Sequence, residues 1–142
     1  MMAIPRLFFD ASVFIAAAGS QTGGSALVLS LCRHGRAKAV SSRLVLLEAE
    51  RNVRNKLGQD ALLHFYHEIA SLDLDLVETP SAQEIAEQSQ VIDPKDAHVL
   101  AAALNGAVQF LLTLDRKHFF SLRATLPFTI MTPGDFLRRI VA

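Results

Sequence analysis

Apolar and polar positions follow two rhythms along the chain, one of strands and one of helices. Residues 6–10 read as a first strand, because Leu7-Phe8-Phe9 is continuously apolar, as in a strand covered on both faces. A helical turn follows over 12–18, then a loop over 19–24 and a second helix over 25–34, with Gly35 as its stop. Residues 37–40 make a short second strand. Ser42 is placed to cap a long helix that ends near Leu57, before Gly58. The helix expected over 60–72 carries Leu62, Leu63, Tyr66, Ile69 and Ala70 at helical spacing. Residues 74–77 alternate with acids and predict a third strand, with Leu74 and Leu76 on one face.

Ser81-Ala82-Gln83-Glu84 is a capping-box signature that opens a helix to about Gln90. Asp93 caps the next helix and Pro94 is its favoured first residue; Ala101, Ala102 and Ala103 lie within it and Gly106 ends it. A largely apolar fourth strand spans 108–113, a short helix 116–122, a fifth strand 128–131, and Pro133 opens a last helix to Val141. Strands and helices alternate throughout with no Gly/Ser/Pro-rich linker. The expected architecture is therefore one α/β domain over 1–142: a central five-stranded, mostly parallel sheet flanked by helices on both faces.

Composition narrows this further. A chain of 142 residues that is 51% hydrophobic and 20% charged can bury a real core and is not of disordered type. The formal net charge is zero, so binding to nucleic acid would require positive charge gathered on one face. Two runs offer it: Arg33, His34, Arg36 and Lys38, and Arg116, Lys117 and His118. Runs of this kind are commonly solvated surface; the second is better placed, directly after Asp115. Cys32 is the only cysteine, which excludes an internal disulfide or a cysteine zinc cluster, and its neighbours Leu29 and Leu31 predict a buried apolar role. The apolar run from Leu7 to Ala18 is interrupted by Asp10 and is too short to cross a bilayer, so the expectation is a soluble cytoplasmic protein with no membrane segment.

Open parallel sheets bind ligands at the carboxyl ends of their strands. Here two strands end in aspartate, Phe8-Phe9-Asp10 and Leu112-Thr113-Leu114-Asp115. Asp96 lies in the first turn of a helix and Glu48 inside the long one. Carboxylates brought together repel unless a cation neutralises them, and an all-oxygen set favours Mg2+ or Mn2+. Each acid also has an ordinary reading. Asp10 suits a turn, Asp115 a helix cap, and Asp96 a favourable place on the helix dipole, worth roughly 0.3–1 kcal/mol. Glu48 and Glu50 lie about 200° apart on a helix. The apolar stripe Leu46, Val53, Leu57 includes Glu50 and leaves Glu48 opposite, so periodicity gives Glu50 the inward claim, with Arg54 as an alternative partner one turn on.

The chain resembles the PIN-domain family, which includes VapC-like toxin ribonucleases. The matching stretches are Phe8-Phe9-Asp10-Ala11-Ser12-Val13-Phe14, Leu47-Glu48-Ala49-Glu50-Arg51-Asn52, Pro94-Lys95-Asp96-Ala97 through Ala103, and Leu112-Thr113-Leu114-Asp115-Arg116-Lys117-His118-Phe119. Each is short, and their order and spacing carry the likeness over nearly the whole chain. The resemblance implies a metal-dependent ribonuclease acting on single-stranded or structured RNA, with Asp10, Glu48, Asp96 and Asp115 as catalytic metal ligands for Mg2+ or Mn2+. It favours Glu48 over Glu50, and it places Ser12 and Thr113 as hydroxyls beside the acids. Arg116 and Lys117 become candidate phosphate contacts. Toxin relatives imply an antitoxin partner, and exposed apolar residues on the helix over 61–72 suggest a homodimer. The alternative from another class is a catalytically degenerate domain serving as an RNA-binding or protein-interaction module.

Other α/β enzymes are disfavoured. The turn after the first strand, Ala11-Ser12-Val13, has no G-x-G-x-x-G, and no G-x-x-x-x-G-K-[ST] occurs. Asp10-Ala11-Ser12 lacks the second aspartate of an aspartyl-nucleophile phosphatase, and no acids neighbour the first strand end as in a phospho-receiver.

Overall fold

The computed structural model describes residues 3–122 and 124–141. Five strands, β1 (Arg6–Phe9), β2 (Lys38–Ser42), β3 (Asp75–Val77), β4 (Phe110–Leu112) and β5 (Thr129–Met131), form one sheet in the order β3-β2-β1-β4-β5. Every neighbouring pair is parallel, so the sheet expected to be mostly parallel is wholly so among the described residues. Leu7, Phe8 and Phe9 are all fully buried, which requires cover on both faces of the central strand. The chain winds outward from β1 through β2 to β3, then returns to β4 on the other side of β1. The order reverses between β1 and β4, and open parallel sheets bind ligands beyond the carboxyl ends of the strands at such a switch point.

The helices are α1 (Ala11–Gly19), α2 (Gly24–Arg33), α3 (Arg43–Lys56), α4 (Gln59–Ser71), α5 (Ala82–Gln88), α6 (Ala97–Asn105), α7 (Arg116–Phe119) and α8 (Pro133–Val141), with a 3-10 turn, Pro94–Asp96, before α6. Their ends follow the chemistry expected of them. Ser42 Oγ accepts from Val45 N, Ser81 and Glu84 form the capping box, and Asp93 caps the 3-10 turn. Gly35, beyond the end of α2, takes φ +77°, which an L side chain resists. No single helix among the described residues is long and apolar enough to cross a membrane.

Four expectations change. The buried stripe of α3 is Val45, Ala49 and Val53, where the small Ala49 allows close packing against α1; Leu57 is 43% exposed. On α4 the buried positions are Leu62, Phe65 and Glu68, while Leu63 and Tyr66 face outward. In the edge strand β3 the alternation does not bury a Leu74–Leu76 face: Leu76 is half exposed and Val77 packs on the core. The short helix ends at Phe119, not Leu122.

The first basic run is largely absorbed by the fold. Arg33 pairs with the buried Glu68, Lys38 Nζ lies 2.9 Å from Asp73, and His34 Nδ1 lies 2.7 Å from the Ser30 carbonyl at the end of α2. Cys32 is half-buried against the core, and burial pushes its thiol up to about 12, in keeping with an unreactive apolar role.

Candidate metal centre

β1 and β4 are adjacent and parallel, so Asp10 and Asp115 emerge on the same rim of the sheet. Asp10 is buried and held by three donors. Its Oδ1 accepts from Ala11 N at 2.8 Å; its Oδ2 accepts from Ser12 Oγ at 3.0 Å and Thr113 Oγ1 at 2.7 Å. The two hydroxyls in turn accept backbone N–H groups, Leu114 N on Ser12 and Asp115 N on Thr113, both at 3.0 Å. Ser12 and Thr113 therefore tie the end of β1 to the loop after β4. Thr113 is fully buried.

Asp115 caps α7, its Oδ1 accepting from His118 N at 3.2 Å. Its Oδ2 lies 2.8 Å from His118 Nδ1. Asp96, at the end of the 3-10 turn, brings Oδ2 to 3.6 Å from the same ring nitrogen. That Asp96 oxygen is buried, and among the described residues it has no hydrogen-bond partner. Asp96, Asp115 and His118 offer one donor atom each within 4.8 Å of one another. The capping role and the candidate ligand role thus coexist at Asp115, because each uses a different oxygen.

Glu48 lies close enough to Asp10 for its charge to act on that carboxyl, and its Oε1 is 3.6 Å from His98 Nε2. Glu50 turns away. Its Oε2 accepts from Tyr66 OH at 2.8 Å and its Oε1 lies 3.6 Å from Arg54, the partner expected one turn along. Charge links Glu48 to Asp10 and Asp10 to Asp96, but among the described residues the cluster of closely spaced donors holds Asp96, Asp115 and His118, without Asp10 or Glu48. Glu50 lies in the α3–α4 contact. Arg116 and Lys117 are exposed beside the acids, the Arg116 guanidinium 5.5 Å over the Phe120 ring. Arg116 also lines a cleft of about 390 Å³ with Gly24, Ser25, Thr132 and Arg138.

The electrostatics are those of a crowded acidic site. Burial raises the Asp10 carboxyl above its ordinary 3.8, against the lowering effect of Thr113, Ser12 and Ala11, and Glu48 adds to the rise. Burial also raises Asp96, opposed by His118 and assisted by the Asp115 charge. For Asp115, burial pushes upward but the hydrogen bonds and charge of His118 outweigh it and lower the carboxyl. An acid raised in the folded state costs stability when ionised, and that cost disappears as pH falls through its folded pKa toward 3.8. Asp10→Asn should therefore melt above the parent at neutral pH without metal, and the gap should close as pH approaches 4. Thermal melts of both proteins across that range check this; a gap that widens on acidification contradicts it.

His98 is a neighbour that the sequence did not single out, and His118 one that it offered only within the basic run after Asp115 and not as a site residue. His118 falls on the face of Asp115 at i, i+3, a readable spacing. His98 gave no signal, because its approach to Glu48 joins residues far apart in the sequence.

A comparison with curated proteins finds no match. The structure is similar to PAE2754 of Pyrobaculum aerophilum at 20% identity and TM-score 0.66, covering 99% of this chain and 91% of that one. It is similar to VapBC2 of Rickettsia felis bound to a DNA fragment from their promoter, at 12% identity and TM-score 0.64, covering 89% and 98%. It is also similar to Mycobacterium tuberculosis VapC20, a sarcin–ricin loop cleaving toxin, at 16% identity and TM-score 0.58, covering 78% and 91%. At these identities the likeness is one of fold. The sequence itself goes further: the family model for the PIN domain matches residues 6–117, and the chain belongs to the PIN domain family.

Proposed function

We propose that this protein is a metal-dependent endoribonuclease of the toxin type, using Asp10, Glu48, Asp96 and Asp115 to hold Mg2+ or Mn2+. The observation that carries the reading is the meeting of Asp96 and Asp115, with the buried Asp96 Oδ2 lacking any donor among the described residues; the charges of Asp10 on Asp96 and of Glu48 on Asp10 support including those two acids. A buried carboxylate oxygen without a partner is costly, and a cation removes that cost. An oxygen-rich donor set fits a hard divalent ion. When bound, such an ion supplies positive charge to an attacking water and to the phosphate under attack.

The chain's own residues do the rest. Ser12 and Thr113 fix the Asp10 carboxylate, so its orientation is set before substrate arrives. Arg116 and Lys117 meet the phosphate backbone, a contact that positions RNA without reading its bases. The similarity to VapC20 and to the VapBC2 assembly supports RNA as substrate and an antitoxin as partner. A basic side chain of the antitoxin would quench the site by entering among the carboxylates. Full nuclease activity in the presence of the co-encoded partner would count against that part of the reading. The exposed Leu63 and Tyr66 on α4 suit a homodimer contact.

Metal should raise the melting temperature, by about 2.7 kcal/mol of stability at a hundredfold excess over Kd; a degenerate module would show no rise. Glu48→Gln should lower RNA cleavage on the order of 10–100-fold, while Glu50→Gln should leave it within about twofold. Equal losses at the two positions, measured as initial rates, would remove Glu48 from the site.

A further inference from the structure

We propose that His118 is itself a metal ligand, so that Asp96 Oδ2, Asp115 Oδ2 and His118 Nδ1 form a nitrogen-containing site selecting a first-row transition ion, probed as Mn2+, over Mg2+. This rests on the reading of the acids as a metal centre and adds a donor which that reading does not contain. The ring nitrogen stands 2.8 Å from one carboxylate oxygen and 3.6 Å from the other, and it is the one imidazole in the three-donor cluster. Donors around a single ion at ~2.0–2.2 Å lie at most about 4.4 Å apart. All three donors lie within 4.8 Å of one another, so a shared ion needs shifts of no more than a few tenths of an ångström.

The local chain holds the ring for this task. Asp115 Oδ1 caps α7 through His118 N, which fixes the backbone carrying the imidazole relative to the carboxylate. Asp115 Oδ2 is then left on the side of the ring and of Asp96. Asp96 Oδ2 is buried there with no donor among the described residues, so a shared cation between the three groups satisfies it. Imidazole nitrogen suits transition ions, whereas Mg2+ prefers oxygen and keeps its waters. An ion held by two carboxylates and one imidazole gains from the nitrogen in the first case and little in the second.

The test compares the full-length parent with His118→Ala and His118→Gln, the latter keeping a hydrogen-bond donor for Asp115. Metal-free circular dichroism and melting establish that each variant is folded. Calorimetric titration with Mn2+ and with Mg2+ gives affinities, and pulsed electron paramagnetic resonance of the Mn2+ complex reports imidazole nitrogen coupling. The expected result is a nitrogen coupling in the parent that is lost in both variants. Mn2+ affinity should fall on the order of tenfold or more, and Mg2+ affinity should change by less than about threefold. A role in merely positioning Asp115 would move both metals alike and show no coupling, which overturns the proposal. Coupling that persists without His118 assigns the nitrogen elsewhere, with His98 beside Glu48 as one candidate, and also overturns it. Mn2+ that binds without nitrogen coupling removes His118 alone and leaves the carboxylate site standing. Failure of the parent to bind either metal removes the carboxylate site as well.

Discussion

Asp10→Asn should cleave RNA slower by about two to three orders of magnitude than the parent, while folding as well or better. The substitution keeps the shape of the side chain. Its oxygen can still accept from Ala11 N, and its amide can donate to the hydroxyl oxygens of Ser12 and Thr113, which rotate to suit. What it removes is one negative charge and one strong oxygen donor from an acid whose charge acts on Asp96. If Asp10 helps to hold a divalent ion, as proposed, the variant would hold it less tightly, a loss comparable to deleting a main transition-state contact. Because burial and Glu48 already disfavour the ionised Asp10, its removal relieves repulsion in the metal-free protein. Initial cleavage rates and melting curves of the same preparations separate the two effects. Activity within a few-fold of the parent would show that Asp10 is only the cap of α1.

Phe14→Ala should cost about 3–5 kcal/mol of stability, a large part of the whole for a domain of this size. Phe14 lies on α1 one turn after Asp10, is 1% exposed, and sets its ring against Phe9 edge-on with centroids 5.8 Å apart. Truncation leaves a cavity between the helix and the central strand and removes the aromatic pair. The same packing fixes the angle at which α1 leaves β1, so site geometry and core stability share this contact. Urea unfolding gives the value. A loss below about 1 kcal/mol would mean that α1 is seated by other contacts.

Much of this was readable in the sequence for physical reasons. A strand buried on both faces must be continuously apolar, and Leu7-Phe8-Phe9 says so; the aspartate that ends it then marks the rim. Caps and stops at Ser42, Ser81, Asp93 and Gly35 are local chemistry, and local chemistry is visible in short stretches. Periodicity failed on α3 because size and burial part company there. The close contact with α1 needs small Ala49 and β-branched Val45 and Val53, while Leu47 and Leu57 remain outside. A stripe drawn through the large residues therefore rotated the helix and favoured Glu50. The family likeness pointed to Glu48, and the geometry places Glu48 near Asp10. On α4 the same error arose from Leu63 and Tyr66, which are exposed, and from Glu68, which is buried against Arg33. Only the tertiary partner decides such faces.

If the carboxylates near the β1–β4 switch point hold a divalent ion for RNA cleavage, chelator-treated protein should reveal it on a labelled single-stranded RNA, before and after Mg2+ or Mn2+ is restored, beside Asp10→Asn and Asp115→Asn. Cleavage should be absent in EDTA, return on adding either ion, and be nearly lost in both variants. Cleavage that persists in EDTA and in Asp10→Asn would contradict this reading and place the chemistry away from these carboxylates.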